Sequence, residues 1–198
     1  MRGVRALLVD LDGTLVDTAG ANYAAYAQAL KGVGVQISRV EFERVAFGRS
    51  WRQFLPPLLG NAAACEAVAA EKARIYPDFL GETVLNTALA RLIEAGRPGW
   101  ATALVTTASR VSAQAVLRHH RVETLFDTVV TGNDVTRHKP DPEAYRVAAG
   151  RLGAAPAECL AFEDSDIGEA AARAFGAACI RIAFDGRGLS AGSRPAGA

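Results

Sequence analysis

At 198 residues, half of them apolar, the chain suits one large domain or a core domain carrying a smaller insert. Lysine and arginine total 22 against 21 acidic residues, so no overall field draws the chain to nucleic acid or anionic lipid, and neither partner is expected. Cys65, Cys159 and Cys179 are dispersed and the basic start (residues 1–5) leads into only a short apolar run, so no disulfide framework and no signal peptide are expected; the expected location is cytoplasmic. Arginine carries most of the positive charge, which makes Lys31, Lys72 and Lys139 easy to single out.

The first element is an apolar run of strand length at 6–9. Similar runs recur at 101–105, 128–130, 159–162 and 179–182. Short, wholly apolar runs suit parallel strands covered on both faces. Between the first and second runs the pattern changes. Residues 18–84 hold alanine-rich, helix-forming stretches at 20–31, 39–47, 50–59 and 62–76. A crossover between parallel strands needs only about a dozen residues, so 18–84 is read as a helical insert over the carboxyl end of the first strand. That edge is where open α/β sheets bind ligands.

Farther on, Leu85, Leu89, Leu92 and Ile93 follow helical spacing, and Gly96 stands where a C-cap glycine would. Ser109 can cap a helix to about His119, and Asp141-Pro142 can open another to about Arg151. Ser165 or Asp166 can cap a last helix ending near Gly176. The expected fold class is therefore α/β: a doubly wound, parallel-sheet, Rossmann-like core (1–17 and 85–184) with an inserted α-helical cap (18–84). Residues 185–198, rich in Gly, Ser, Ala and Pro, are expected to form a flexible tail.

The chemistry concentrates at strand ends. In Val9-Asp10-Leu11-Asp12-Gly13-Thr14, two carboxylates two apart emerge where the first strand stops, and Gly13 lets the chain turn at once. Paired carboxylates repel, and a bound cation would relieve the repulsion; one could then act as nucleophile and the other as acid and base. A calcium loop does not fit, because its third acidic position falls on Thr14. An ordinary Asp-Gly turn does fit this segment taken alone.

Read with three later segments, it resembles the first motif of the haloacid dehalogenase-like superfamily, in its beta-phosphoglucomutase and phosphoglycolate phosphatase branch. Val105-Thr106-Thr107-Ala108-Ser109 is similar to the second motif, His138-Lys139-Pro140-Asp141-Pro142 to the third, and Glu163-Asp164-Ser165-Asp166 to the fourth. The resemblance implies an aspartyl-phosphate mechanism with Asp10 as nucleophile and Asp12 as proton donor and acceptor. It implies phosphoryl binding by Thr106, with Thr107 the competitor, and by Lys139. Magnesium would be held by Asp10, Asp12 (through its carbonyl) and Asp164, with Glu163 as second choice. The implied partner is a small phosphorylated metabolite. Asn22 stands where the related mutases carry a histidine, which favours a phosphatase; a phosphosugar mutase and a non-catalytic phospholigand-binding member are the alternatives. Asn22, Arg49 and Arg52 are the candidate substrate contacts from the insert. Dehalogenases of the superfamily lack the second aspartate, present here as Asp12.

Overall fold

The computed structural model describes residues 3–97 and 99–184; the expected tail lies outside the described residues. In chain order the strands are β1 (Ala6–Val9), β2 (Val16–Asp17), β3 (Val84–Leu85), β4 (Ala101–Val105), β5 (Thr128–Val130), β6 (Cys159–Glu163) and β7 (Ala178–Arg181). Five of them form a sheet of order β5-β4-β1-β6-β7, parallel at every pairing. The helices are α1 (Ala19–Gly32), α2 (Arg39–Ala46), α3 (Trp51–Leu59), α4 (Ala62–Ile75), α5 (Thr87–Gly96), α6 (Arg110–His120), α7 (Glu143–Leu152) and α8 (Asp166–Phe175).

Strand periodicity divides the core in two. Leu7 and Val9 of β1 join Leu104 and Phe162 on one face, under α5 and α6. Ala6 and Leu8 join Ala103, Val105 and Ala161 on the other, under α7 and α8. Helices on both faces explain why these strands are apolar at every position rather than at alternate ones. The central strand β1 is flanked by β4 and β6, so the chain directions on its two sides diverge and leave a crevice beyond its carboxyl end.

Helices α1 to α4 fill the interval between β2 and β3. Ser38, Ser50 and Asn61 cap α2, α3 and α4 by accepting backbone amide protons, which satisfies donors that a helix start leaves free. Leu30, Phe42, Phe54, Leu55 and Val68 form a cluster of their own, with Phe42 and Phe54 edge to face at 5.8 Å. The small faces of α1 (Ala21, Ala25) and the end of α4 (Ile75) pack instead into the sheet-side cluster. No helix among the described residues is long and apolar enough to cross a membrane.

Some local expectations shift. β2 and β3, two residues each, pair antiparallel at the base of the helical segment and were too short to read from pattern. Leu85 lies in β3 and Leu92 is exposed, so only Leu89 and Ile93 of the expected stripe are buried. Gly96 is the last residue of α5 rather than a left-handed cap. Its small size has another cause: a Cβ there would lie 2.1 Å from the Trp100 ring. Pro142, not Asp141, takes the N-cap position of α7, although Asp141 still accepts the Glu143 amide at 2.9 Å.

Candidate active site

Four loops converge at the carboxyl edge of the sheet. Asp10 follows β1, Thr106 and Thr107 follow β4, Glu163 and Asp164 close β6, and Lys139 reaches in from the segment between β5 and α7. With the helical segment above, they enclose a cavity of about 160 Å³.

Lys139 organises the floor. Its ammonium, only 2% exposed, donates to Asp10 Oδ1 at 2.7 Å, to the Val105 carbonyl at 2.9 Å and to Glu163 Oε1 at 2.5 Å. Tyr145, from the first turns of α7, donates to the same Glu163 oxygen. Burial alone would lower the lysine; Asp10 and Glu163 overrule it and hold Lys139 well above its ordinary value. Burial pushes Asp10 well up, against the pull of Lys139, and Glu163, Asp164 and Asp12 push the same way. Burial and Glu163 likewise raise Asp164 to about 7. One lysine therefore faces more carboxylate charge than it can balance.

That imbalance suits a cation. Oxygens of Asp10, Glu163 and Asp164 lie within 4.8 Å of one another, and carboxylate oxygens are the donors a hard divalent ion takes. Asp10 and Asp164 line the cavity. Glu163 is wholly buried behind them, with Oε2 lacking a hydrogen-bond partner. The set fits magnesium, with Asp10 and Asp164 as the accessible pair.

Asp12 is held apart from this cluster. Its Oδ1 accepts from the Thr18 hydroxyl at 2.5 Å and the Asn22 amide at 3.0 Å, while the Thr106 hydroxyl lies 3.4 Å from Oδ2. Gly13, at φ +82°, turns the chain between Asp12 and the rest of the loop. A Cβ on Gly13 would sit 2.0 Å from Asp164 Oδ2. Gly13→Ala is accordingly expected to displace Asp164 and to destabilise the fold by about 1–3 kcal/mol, the usual cost of a non-glycine residue in a left-handed turn. Thermal melting with and without magnesium checks this; an unchanged melting temperature with an unchanged magnesium response would show that the turn relaxes freely.

The two threonines after β4 separate clearly. Thr106 is buried, its hydroxyl accepting the Ala108 amide at 3.0 Å, whereas Thr107 lines the cavity. Of the insert residues singled out from sequence, Asn22 and Arg49 line the cavity and Arg52 is not among its lining residues. Arg49 donates to the Val45 carbonyl at 3.2 Å, and the Arg52 guanidinium covers the Trp51 ring at 4.3 Å. Lys72 is the unexpected wall residue. It is buried, sits 3.4 Å from the Tyr76 ring centroid and makes no ion pair among the described residues. Burial lowers it to about 8, with Asp12 opposing. Its signal in the sequence was scarcity, one of three lysines, and for Thr18 it was the four-residue spacing to Asn22.

Loops at the carboxyl edge of the sheet that bring Asp10, the buried Lys139 and Asp164 to one cavity agree with what comparison finds. A family model for haloacid dehalogenase-like hydrolases matches residues 4–176. The chain belongs to that family. It is 29% identical over 178 residues to the fructose-1-phosphate phosphatase YqaB of Escherichia coli, covering 89% of this chain and 95% of that one. It is 33% identical over 195 residues to a plasmid-borne CbbY of Cupriavidus necator, covering 87% and 76%. A CbbY structure from Rhodobacter sphaeroides in complex with xylulose-1,5-bisphosphate superposes with a TM-score of 0.83 at 26% identity, covering 92% and 87%. This family member is a phosphohydrolase.

Proposed function

We propose that the protein is a cytoplasmic, magnesium-dependent phosphatase that hydrolyses a small phosphorylated sugar or related acid through an aspartyl phosphate on Asp10. The observation that carries the reading is the Asp10 carboxylate, held at 2.7 Å by Lys139 on the floor of a cavity that Asp164 and Thr107 also line. Similarity to the fructose-1-phosphate phosphatase and to CbbY supports a phosphorylated sugar as the substrate class.

In this reading the free Asp10 oxygen attacks phosphorus in line, and the bond from phosphorus to the ester oxygen breaks. Asp12 gives the leaving oxygen its proton; water then attacks the acyl phosphate and returns a proton to Asp12, freeing phosphate and Asp10. Magnesium, held by Asp10, Asp164 and the Asp12 carbonyl with Glu163 behind, would neutralise charge on the transferred group. Thr107 takes the phosphoryl-binding place in preference to Thr106, whose hydroxyl is spent on its own loop and on Asp12. Lys139 compensates charge at Asp10 and keeps its second oxygen oriented. Asn22 and Thr18 fix Asp12 through two hydrogen bonds, so the proton donor is set before substrate arrives. The insert acts as a cap, and its aromatic residues Tyr26, Phe42, Trp51 and Phe54, which line the cavity, would cover the leaving group.

The test is phosphate release from a panel of sugar and acid monophosphates with magnesium and with EDTA. Release that requires magnesium is expected. A folded protein that releases phosphate from none of them in magnesium would sink the reading and favour a mutase or a binding-only role.

A further inference from the structure

The helical segment also touches the loops that carry Lys139 and Asp164 beside the cavity wall formed by Gly48, Arg49 and Trp51, through a residue, Gln53, that is not itself among the lining residues. Gln53, in the first turn of α3, uses both ends of its amide. Its Oε1 accepts the Ser50 amide proton at 2.8 Å, closing a capping box, and its Nε2 donates to the Lys139 carbonyl at 2.9 Å. That second bond joins residues 86 apart in sequence. Two residues before Ser50, the chain approaches the other catalytic loop. Gly48, at φ +70°, leaves so little room that a Cβ would stand 3.0 Å from Ser165 Oγ and 3.1 Å from Ser165 Cβ. Ser165 follows Asp164 directly and caps α8. One short stretch, 48–53, is thus seated on both the loop that carries Lys139 and the loop that carries Asp164. It lies far in sequence from the two covalent crossings, at 17–19 and 82–86, and it is a contact separate from the Asn22–Asp12 hydrogen bond and from the packing of α1 and the end of α4 on the core.

We propose that Gln53 is a positioning residue, the latch by which the insert seats on the core and braces the Lys139 peptide. This deepens the phosphatase reading and rests on it for the kinetic arm of its test. The amide is suited to the task because the Ser50 bond fixes its orientation, so the donor end is aimed before the insert closes. Seating then places the Lys139 backbone against α3 while its ammonium spans Asp10, the Val105 carbonyl and Glu163. A substrate that binds only the seated form gains affinity in proportion to the seated fraction.

Gln53→Glu separates this role from helix capping. Glutamate serves the capping box as well as glutamine does, but its carboxylate cannot donate to the Lys139 carbonyl and repels it. For Gln53→Glu, KM for a sugar monophosphate that the wild type hydrolyses is expected to rise roughly tenfold, the scale of one lost hydrogen bond. Saturating substrate re-seats the insert, so kcat changes far less. The melting temperature stays at the wild-type value, whereas in Gln53→Ala, which loses the capping box too, it falls. Hydrogen–deuterium exchange provides an arm independent of turnover: peptides covering 47–55 and 136–139 should exchange faster in Gln53→Glu while the sheet peptides do not. Wild-type KM together with wild-type exchange in that variant would overturn the proposal. So would a uniform rise in exchange with a lowered melting temperature, the mark of a merely structural residue. If the wild type itself released no phosphate, the phosphatase reading would fail while the exchange arm still decided the latch.

Discussion

Asp10→Asn is expected to lower phosphate release by a factor on the order of 10⁴ or more and at the same time to raise the melting temperature in EDTA. The first effect follows from the loss of the attacking oxygen, since removing a nucleophile that works with a fixed acid and base disables the unit. The second follows from charge. Asp10, Glu163 and Asp164 share one lysine, and burial holds both Asp10 and Asp164 above their ordinary range, Asp164 at about 7. An acid whose folded pKa is raised weakens the fold as pH climbs from its unfolded value, about 4, toward the folded one. Wild-type stability in EDTA should therefore fall as pH climbs above about 4, and the part of that fall that belongs to Asp10 is absent from the variant. His120 and His138, which burial lowers, run the opposite way below their ordinary value. The difference between wild type and variant isolates Asp10 from them. Magnesium should stabilise the wild type more than the variant, because the variant has one fewer anionic ligand. Phosphate release and paired melts across pH, with EDTA and with magnesium, check all of this. An Asp10→Asn protein that still turns over would remove Asp10 from the nucleophile role, and one that melts lower in EDTA at pH 7 would show that Lys139 outweighs the crowding of acids.

Much of this arrangement could be read from the chain because Asp10, Thr106 and Glu163 stop apolar runs. Asp10 ends 6–9, Thr106 ends 101–105 and Glu163 ends 159–162, so once the runs are taken as parallel strands the residues must share an edge. Helices α1 to α4 were legible for a similar reason: the interval between β1 and β4 is far longer than a crossover needs, and Ser38, Ser50 and Asn61 mark three of the helix starts. What stayed hidden depends on direction rather than period. Thr106 and Thr107 are adjacent, and only the turn after β4 decides that Thr107 reaches the cavity. The two-residue strands β2 and β3 carry too little pattern to register. Tyr145 looks like any aromatic on an alanine-rich helix until the fold brings it to Glu163, and Gln53 looks like a capping-box residue until its other end meets Lys139.

Lys139→Met is the change expected to cost the most stability. The thioether is close in length and fits an apolar environment, so the packing loss is small while the charge is removed outright. Asp10 and Glu163 are then left buried with no cation beside them, a situation that typically costs about 3–5 kcal/mol. For a chain of this size that corresponds to a melting temperature lower by roughly 6–20 °C. Two further variants separate charge from the lost hydrogen bond to the Val105 carbonyl. If crowding of carboxylates is the cause, adding Asp10→Asn to Lys139→Met restores a large part of the loss, and magnesium restores part of it in the single variant. The double-mutant cycle should then show a coupling between positions 10 and 139 well above the few tenths of a kcal/mol expected of independent sites. A cycle that closes additively would place the cost in the Val105 bond and the local packing, and Lys139 would be a structural brace of the β4 turn before it is an electrostatic partner of Asp10. The electrostatic outcome has a functional corollary. A fold that tolerates this acid cluster only through one lysine is poised to gain stability when a divalent cation arrives, so magnesium affinity and fold stability would be two readings of the same charge imbalance.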